Sequence, residues 1–383
     1  MTHIYFSVTN DLVGDQRVHR IISTLVKAGA SVTLVGCKMR NSLSLQERNY
    51  KIYRLKLLFK KGFLFYACYN LRLFMFLLFR RNIDILVAND LDTLPANYLV
   101  SRIRGIPVVY DSHEYFTEVP ELIGRERVKN FWLSMEKWIL PRLKIAYTVS
   151  QPIADIYKQK YGIDFEVIHN YPFQEKIKGT FKLPFDIGGD KLLIYQGSVN
   201  VGRGLELLID LAGEMEKVKL VIAGDGDIRK SLENTISEKG LGKKIFLIGK
   251  IPFDELKTLT FQADAGVSLE EDLGLNYHFA LPNKLFDYIQ AGIPVLVSSL
   301  PEMKKVVEKY KIGLVAETRT KEQLNLLLNV LLFDEVKRAC WKLGLEQAAK
   351  ELCWENEEFR VIEIFKRAGL GVGRREKGEG RRE

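Results

Sequence analysis

Short apolar runs alternate with amphipathic stretches along the first part of the chain. Residues 4–8 are largely apolar, residues 18–30 carry apolar side chains at helical spacing, and residues 31–37 are again mostly apolar. This alternation is typical of a β-α-β unit in which helices cover both faces of a parallel sheet. The rhythm continues through the strand pattern that ends near Ser150, so we predict a first domain over residues 1–171.

A second series of strand and helix patterns follows a change in composition. Residues 172–189 are rich in Pro, Gly and Lys without a sustained period, which predicts a linker. From 190 to 354 the rhythm resumes, so we predict a second domain with its own parallel sheet. A helical pattern over 355–370 is predicted to pack back on the first domain. The fold class is therefore α/β, with two Rossmann-like, doubly wound domains.

One segment, residues 62–79, is almost wholly apolar and lies between Lys60 and Arg81. A membrane-spanning helix needs about 20 apolar residues. Arg72 near its middle would cost about 2.5–3.5 kcal/mol on insertion, which disfavours spanning. Two interpretations of the segment remain open: a core helix whose Arg side chain extends to water, and a helix that lies in the bilayer interface. The interfacial alternative predicts peripheral membrane contact through residues 60–81.

Charge and cysteine content add expectations about partners and compartment. The 57 Lys and Arg against 48 Asp and Glu give a net charge of +9, which favours anionic partners such as nucleotides or phospholipid headgroups. Residues 371–383 lack apolar periodicity and predict a mobile basic tail. The cysteines have no close CxxC-type spacing, so we interpret them as core thiols in a reducing compartment: Cys37, Cys68, Cys340 and Cys353. The amino terminus lacks a signal-peptide pattern, and we predict a cytoplasmic protein, which the interfacial alternative for residues 60–81 places at the inner face of the membrane.

Two groups of candidate functional residues lie in the first domain. His113 follows a predicted strand in YDSHEYF, between Asp111 and Glu114, and ligands bind at this edge of open α/β sheets. Gly14 precedes the first helix, where backbone amides could face an anion, although the GxGxxG spacing is absent. Asp90 and Asp92 form a DxD spacing that can hold a metal, but turn and helix-capping roles explain them as well.

The second domain carries the stronger candidates. In YQGSVNVGRGLELLI, Gly197 and Ser198 form a turn after a strand, and Arg203 stands at the opening of a helix. Free amides, the positive end of the helix dipole and a guanidinium would converge there, which predicts a diphosphate site. Lys284 and Asp287 share a helix face three residues apart. The carboxylate can accept ribose hydroxyls while the Lys faces phosphate, and a simple helical ion pair is the alternative.

With these residues together, the chain resembles glycosyltransferase family 4, whose members have the GT-B fold of two domains facing a cleft. The resemblance rests on GRGLELLI, VIAGDGD, GKIPFDEL and LPNKLFDYIQAGIPVLVS, with NDLDTLPAN and YDSHEYFTEVPEL resembling a bacterial branch. It implies a pyrophosphate-binding role for Arg203, a ribose-binding role for Asp287 and a place near the transferred sugar for His113. Gly14 resembles the family's first-strand Gly loop, with its usual Gly pair reduced to one.

The chain departs from the family pattern at two points. The family commonly has two glutamates separated by seven residues, whereas here a longer loop precedes Asp287, so Glu271 matches only through the local pattern EDLGL. Ser198 stands where many members carry a second phosphate-binding Arg. Lys250 or Lys284 could supply that missing charge.

The resemblance implies a retaining transferase that moves a sugar from a nucleotide-diphosphate sugar to a glycan or lipid-linked acceptor, with Glu271 and His113 as catalytic candidates. We expect no metal cofactor, because cationic side chains can stabilise the leaving diphosphate. We expect no nucleic-acid partner. A sugar-nucleotide epimerase of the same fold and a non-catalytic membrane-associated binding protein remain alternatives.

Overall fold

The computed structural model describes the chain in six stretches: residues 1–12, 14–39, 47–59, 61–119, 122–174 and 179–371. The chain divides into two compact units, one formed by Met1–Asn170 with Glu357–Glu383 and the other by Tyr171–Asn356. By this division, the described part of the predicted linker belongs to the second unit.

Within its described residues, the first unit contains a 7-stranded parallel sheet. Its strands are β1 (His3–Ser7), β2 (Ser31–Cys37), β3 (Lys51–Leu55), β4 (Ile85–Asn89), β5 (Val108–Ser112), β6 (Ile145–Thr148) and β7 (Glu166–Val167). Their order is β3-β2-β1-β4-β5-β6-β7. The chain moves outward from β1 to β3 and then returns to the other side of β1 with β4. At such a reversal the loops after the two central strands separate and leave room for a ligand.

The helices of the first unit cover both faces of this sheet. They are α1 (Gln16–Lys27), α2 (Gly62–Leu78), α3 (Leu94–Arg104), α4 (Glu126–Ile139), α5 (Gln151–Tyr161) and the C-terminal helix Glu358–Arg367. The C-terminal helix contacts α1: Lys27 Nζ lies 3.0 Å from Glu358 Oε2. The ring of Phe365 stacks on Phe6 of β1, with centroids 6.0 Å apart.

The second unit repeats the same plan. Its strands are β8 (Lys191–Gln196), β9 (Val218–Ala223), β10 (Ile245–Gly249), β11 (Ala265–Ser268), β12 (Val295–Ser298) and β13 (Gly313–Ala316). They form a parallel sheet in the order β10-β9-β8-β11-β12-β13. The strand order reverses between β8 and β11, so the loops after these strands flank the expected ligand position.

Side chains of β8 enter two separate cores, which explains why the strand is apolar throughout. Leu193 and Tyr195 belong to one hydrophobic cluster, and Leu192 and Ile194 belong to the other. The helices that cover the two faces are α6 (Leu205–Glu214), α7 (Arg229–Glu238), α8 (Phe253–Gln262), α9 (Leu275–His278), α10 (Asn283–Ala291), α11 (Pro301–Tyr310), α12 (Lys321–Phe333) and α13 (Glu335–Glu351). The predicted α/β class, with two doubly wound Rossmann-like domains, is confirmed.

The apolar segment 62–79 forms helix α2. Every fourth residue is buried in the first unit, namely Phe65, Tyr69, Leu73 and Leu77. Other apolar side chains stay exposed, and Arg72 lies on this exposed side with its guanidinium bonded to the Lys56 carbonyl. Among the described residues, no helix combines the length and the apolarity that crossing a bilayer requires.

Some predictions concern residues that lie outside the described ranges. These are Lys60, residues 175–178 of the linker and residues 372–383 of the tail. The interpretation of the cysteines as core thiols is wrong for Cys340, which is exposed on α13, whereas Cys37 and Cys353 are buried.

Candidate functional site

The loop between β8 and α6 carries Gly197, Ser198 and Arg203 at the carboxyl edge of the second sheet. Gly197 and Gly204 adopt φ angles of 131° and 70°, a region that favours glycine. The Glu271 amide donates to the Gly202 carbonyl at 2.8 Å, which ties this loop to the segment after β11. The chain therefore holds Arg203 beside the residues that follow β11.

Glu270 links the two cationic candidates of this unit. One oxygen, Oε1, lies 2.7 Å from Lys284 Nζ and 3.5 Å from an Arg203 guanidinium nitrogen. The other oxygen, Oε2, accepts from Ser268 Oγ at 2.6 Å. Burial alone would raise the pKa of Glu270, but the charge and hydrogen bond of Lys284 and the bond from Ser268 outweigh it and lower the pKa. Glu270 is thus a buried carboxylate anion.

Aromatic rings hold both cations in place. Lys284 Nζ lies 4.0 Å from the centroid of the Tyr195 ring, and the Arg203 guanidinium lies 4.6 Å from that of Tyr277. Lys284 also packs against Gly197, where an added Cβ would lie 3.3 Å from Lys284 Cε. The structure therefore brings Gly197, Arg203 and Lys284 together, and two cations beside a Gly-containing loop can bind a diphosphate.

Asp287 lies one helical turn after Lys284 on α10. Its Oδ2 accepts from Gln196 Nε2 at 2.7 Å, and Gln196 Oε1 accepts from Thr260 Oγ1 at 2.6 Å. Asp287 also lines a pocket with Phe253 and Leu256 of α8, together with Pro172, Phe173, Gln196, Lys257, Thr260, Gln290 and Ala291. Lys284 itself pairs with Glu270.

Three other predicted residues make different contacts. Ser198 is exposed, and its carbonyl accepts from the Tyr195 hydroxyl at 2.7 Å. Lys250 is exposed after β10, an edge strand that β9 separates from β8. Glu271 pairs with Arg319 at 3.3 Å and is partly exposed. Of the two lysines considered for the missing phosphate contact, the structure places Lys284 beside Arg203.

The first unit gathers a second polar cluster around His113, directly after β5. Its Nε2 lies 3.1 Å from Asp111 Oδ2 and its Nδ1 lies 3.3 Å from Asp90 Oδ2. The His113 backbone amide donates to Asp90 Oδ1 at 2.8 Å. Asp90 has φ 60°, a strained conformation for a non-glycine residue. Both imidazole nitrogens therefore face carboxylates.

The carboxylates set the charge of this cluster. Burial lowers the pKa of His113, but Asp90 and Asp111 outweigh it and raise the pKa to about 10. Burial raises the pKa of Asp90, and the His113 cation lowers it. Asp111 is fully buried, and Arg17 Nη2 donates to its Oδ1 at 2.8 Å. The carboxylates therefore favour the imidazolium form of His113 over the neutral imidazole that a general base requires.

Gly14 and the two Asp residues of the DxD pair have separate surroundings in the described part of the chain. An added Cβ on Gly14 would meet nothing within 4 Å, so sterics do not require glycine there. Asp15 caps α1 by accepting from the Val18 amide at 3.1 Å. Asp92 accepts from Thr9 at 2.5 Å, whereas Asp90 faces His113. Across the described ranges, no three His, Cys, Asp or Glu side chains are grouped as metal ligands would be.

Two residues of these clusters were not predicted to act there. Arg17 binds Asp111 and also donates to the Ile168 carbonyl at 2.8 Å. A cation in the first turn of a helix is unfavourable next to the helix dipole, and this feature of Arg17 could have indicated a buried carboxylate partner. Glu270 was not among the predicted residues, since nothing in the sequence distinguishes it from its neighbour Glu271.

Two family models match the chain over separate stretches. The model described as Glycosyltransferase Family 4 matches residues 15–171, and the model described as Glycosyl transferases group 1 matches residues 181–344. An uncharacterized glycosyltransferase from Methanocaldococcus jannaschii is 25% identical over 212 residues, which cover 54% of this chain and 52% of that protein. The chain thus spans about half the length of this curated relative.

Solved structures resemble the chain over nearly its whole length. Sucrose-phosphate synthase from Thermosynechococcus elongatus has a TM-score of 0.74 at 16% identity, covering 96% of this chain and 99% of that one. Anabaena HepE in complex with UDP-glucose has a TM-score of 0.72 at 15% identity, covering 96% and 100%. At these identities the likeness shows a shared fold.

Proposed function

Because the chain belongs to the family 4-like glycosyltransferases of the GT-B fold, we propose that it transfers a sugar from a nucleotide-diphosphate sugar to a hydroxyl group. The acceptor is a glycan or a lipid-linked acceptor of bacterial surface polysaccharide synthesis, and the anomeric configuration is retained. The observation that carries the proposal is the pairing of Arg203 and Lys284 around Glu270, beside the loop that contains Gly197.

In this proposal the bond between the anomeric carbon and the diphosphate breaks as the acceptor oxygen bonds to the same carbon. The acceptor proton passes to the departing phosphate. Negative charge grows on the diphosphate, so Arg203, Lys284 and the free amides near the start of α6 stabilise the transition state more than the ground state. Asp287 accepts from the ribose hydroxyls. His113, held as a cation, orients the donor sugar or the acceptor.

Incubation with a panel of sugar nucleotides tests the proposal. UDP-glucose is the first donor to try, because HepE binds it. Transfer to an added acceptor or slow hydrolysis of the donor supports a glycosyltransferase. An epimerised nucleotide sugar would instead indicate the epimerase alternative, and absence of turnover with every donor would indicate a binding protein.

Activity is expected to survive EDTA. The two cations replace the metal that a DxD site would hold, and Asp90 is engaged by His113 in the first unit. The measurement is transfer or donor hydrolysis with and without excess EDTA. Complete loss of activity, restored by Mn²⁺ or Mg²⁺, would contradict the metal-free mechanism.

We further propose that the acceptor lies on an anionic bilayer that the chain contacts through α2. The α2 face, defined as Leu64, Leu71 and Met75, is exposed on the side opposite the buried stripe, with Leu71 65% exposed. Phe63 at the start of α2 packs edge-on against Phe131 of α4, which is also partly exposed. Exposed Lys61, Arg72 and Arg81 lie on or beside α2. Apolar side chains flanked by cations suit an anionic headgroup layer.

Liposome flotation is expected to recover the wild-type chain with anionic vesicles at low salt. Leu71→Glu/Met75→Glu should lose this binding, because two carboxylates would enter the headgroup layer, while UDP affinity stays unchanged. The matched control is Val336→Glu/Leu343→Glu on α13, where both side chains are more than 70% exposed in the second unit. Flotation of the α2 variant as efficient as that of the control would rule out this face.

A further inference from the structure

Glu270 has no role in the proposed reaction so far, although it is fully buried beside the cations that bind the diphosphate. Burying a carboxylate is unfavourable unless charges and hydrogen bonds compensate it. The compensation here comes from Lys284, Arg203 and Ser268, and the first two are the proposed diphosphate ligands. Glu271, the next residue, is partly exposed and pairs with Arg319 instead.

We propose that Glu270 is a positioning residue that pre-orders Lys284 and Arg203 for the nucleoside diphosphate. The inference rests on the proposed function. The two carboxylate oxygens have separate tasks: Ser268 fixes Oε2, which orients the group, and Oε1 then serves both cations at 2.7 Å and 3.5 Å.

Pre-ordering matters because both cations have long, flexible side chains. Lys and Arg each lose rotamer freedom when a single geometry is imposed. With Glu270 and the rings of Tyr195 and Tyr277 in place, this ordering occurs during folding and not during donor binding. Binding therefore retains more of the attraction between the cations and the diphosphate.

The charges of the cluster leave a place for an anion. Two cations share one carboxylate, so the cluster keeps a net positive charge. The Arg203 Nε–H is buried and has no hydrogen-bond partner among the described residues. Without the charge of Glu270, Lys284 and Arg203 would repel each other. Lys284, only 7% exposed, would then turn towards water.

The test is calorimetric titration of UDP, or of GDP where UDP does not bind, into Glu270→Gln. The amide keeps the size and the bond from Ser268 but removes the charge. We expect the Kd to rise about 10-fold or more, and the donor KM to rise more than kcat falls. The control is Glu317→Gln, which removes an exposed carboxylate that pairs with Lys304 at 2.6 Å in the same unit and should leave the Kd unchanged.

A double-mutant cycle separates positioning from general destabilisation. If Glu270 acts by positioning the cations, Glu270→Gln should weaken UDP binding less in a Lys284→Met background than in the wild type, because only Arg203 remains to be positioned. A loss of fold stability would weaken binding equally in both backgrounds. Glu270→Asp keeps the charge but moves the carboxylate away from the cations by one methylene, so it should bind UDP several-fold more weakly. This variant tests the proposal if Glu270→Gln fails to fold.

The outcomes are distinct. Three results would overturn the positioning role but not the proposed function. The first is wild-type UDP affinity in Glu270→Asp, and the second is unchanged or tighter UDP binding in Glu270→Gln. The third is an effect of Glu270→Gln on UDP binding that is as large in the Lys284→Met background as in the wild type. A wild-type chain that binds no nucleoside diphosphate would overturn the proposed function, and the inference with it.

Discussion

Replacing His113 with alanine is expected to lower turnover roughly 100-fold or more, the scale of a positioned polar catalytic group. Nucleoside diphosphate affinity should stay within a few fold of wild type. The reason is a division of tasks: His113 lies in the first unit with Asp90 and Asp111, whereas the proposed diphosphate ligands lie in the second. A transfer assay beside a calorimetric titration of UDP measures both quantities.

The protonation state of His113 distinguishes orientation from base catalysis. Its pKa is raised to about 10 by Asp90 and Asp111 against the effect of burial, so the imidazolium should persist as the pH rises through 7 and 8. The chain has five histidines, and the signal lost in His113→Ala identifies this one by NMR. A His113 imidazole that is neutral at pH 7 would favour a base instead.

A second histidine provides the matched control. His169 also pairs with a carboxylate in the first unit, its Nδ1 lying 3.0 Å from Glu357 Oε1. His169→Gln should change fold stability more than turnover, because this pair packs the C-terminal segment onto the unit. An equal loss of turnover in both variants would mean that His113 acts only through folding.

The sequence predicted the fold because each local pattern agreed with the final structure. Buried parallel strands are apolar on both faces, and the side chains of β8 accordingly pack into two separate hydrophobic cores. The surface of α2 was harder to assign, since an apolar helix has no polar stripe that marks its outer side. The buried face of α2 is known only from the packing in the structure, which buries Phe65, Tyr69, Leu73 and Leu77.

The sequence could predict the parts of the candidate site whose residues are close in sequence. It could not predict which distant residues become neighbours, because that depends on the order of the strands in the sheet. Arg203 at the opening of α6 follows from the local strand-turn-helix pattern. Whether Lys250 or Lys284 stands beside it depends on the sheet order, which separates β10 from β8 by β9. The contact between Arg17 and Asp111 joins residues 94 positions apart, and the inward turn of Glu270 depends on the path of the chain after β11.

Replacing Arg203 with alanine is expected to weaken UDP binding roughly 10- to 100-fold, because charge-assisted hydrogen bonds contribute about 1.5–3 kcal/mol. Turnover should fall as well, since negative charge on the diphosphate grows as the sugar departs. Arg203→Lys keeps the charge but loses the planar fork that suits phosphate oxygens, so it should recover only part of the affinity. The measurements are calorimetric titration of UDP and transfer kinetics.

Arg338 provides the control for Arg203, because the two side chains are 19% and 20% exposed in the same unit. Arg338 donates to the Asp264 carbonyl at 3.1 Å, directly before β11 and thus at the amino edge of the sheet, opposite the predicted ligand edge. Arg338→Ala should lower fold stability and leave the UDP Kd unchanged. If Arg203→Ala also leaves that Kd unchanged while His113→Ala abolishes nucleotide binding, donor binding belongs to the first unit and the assignment is wrong.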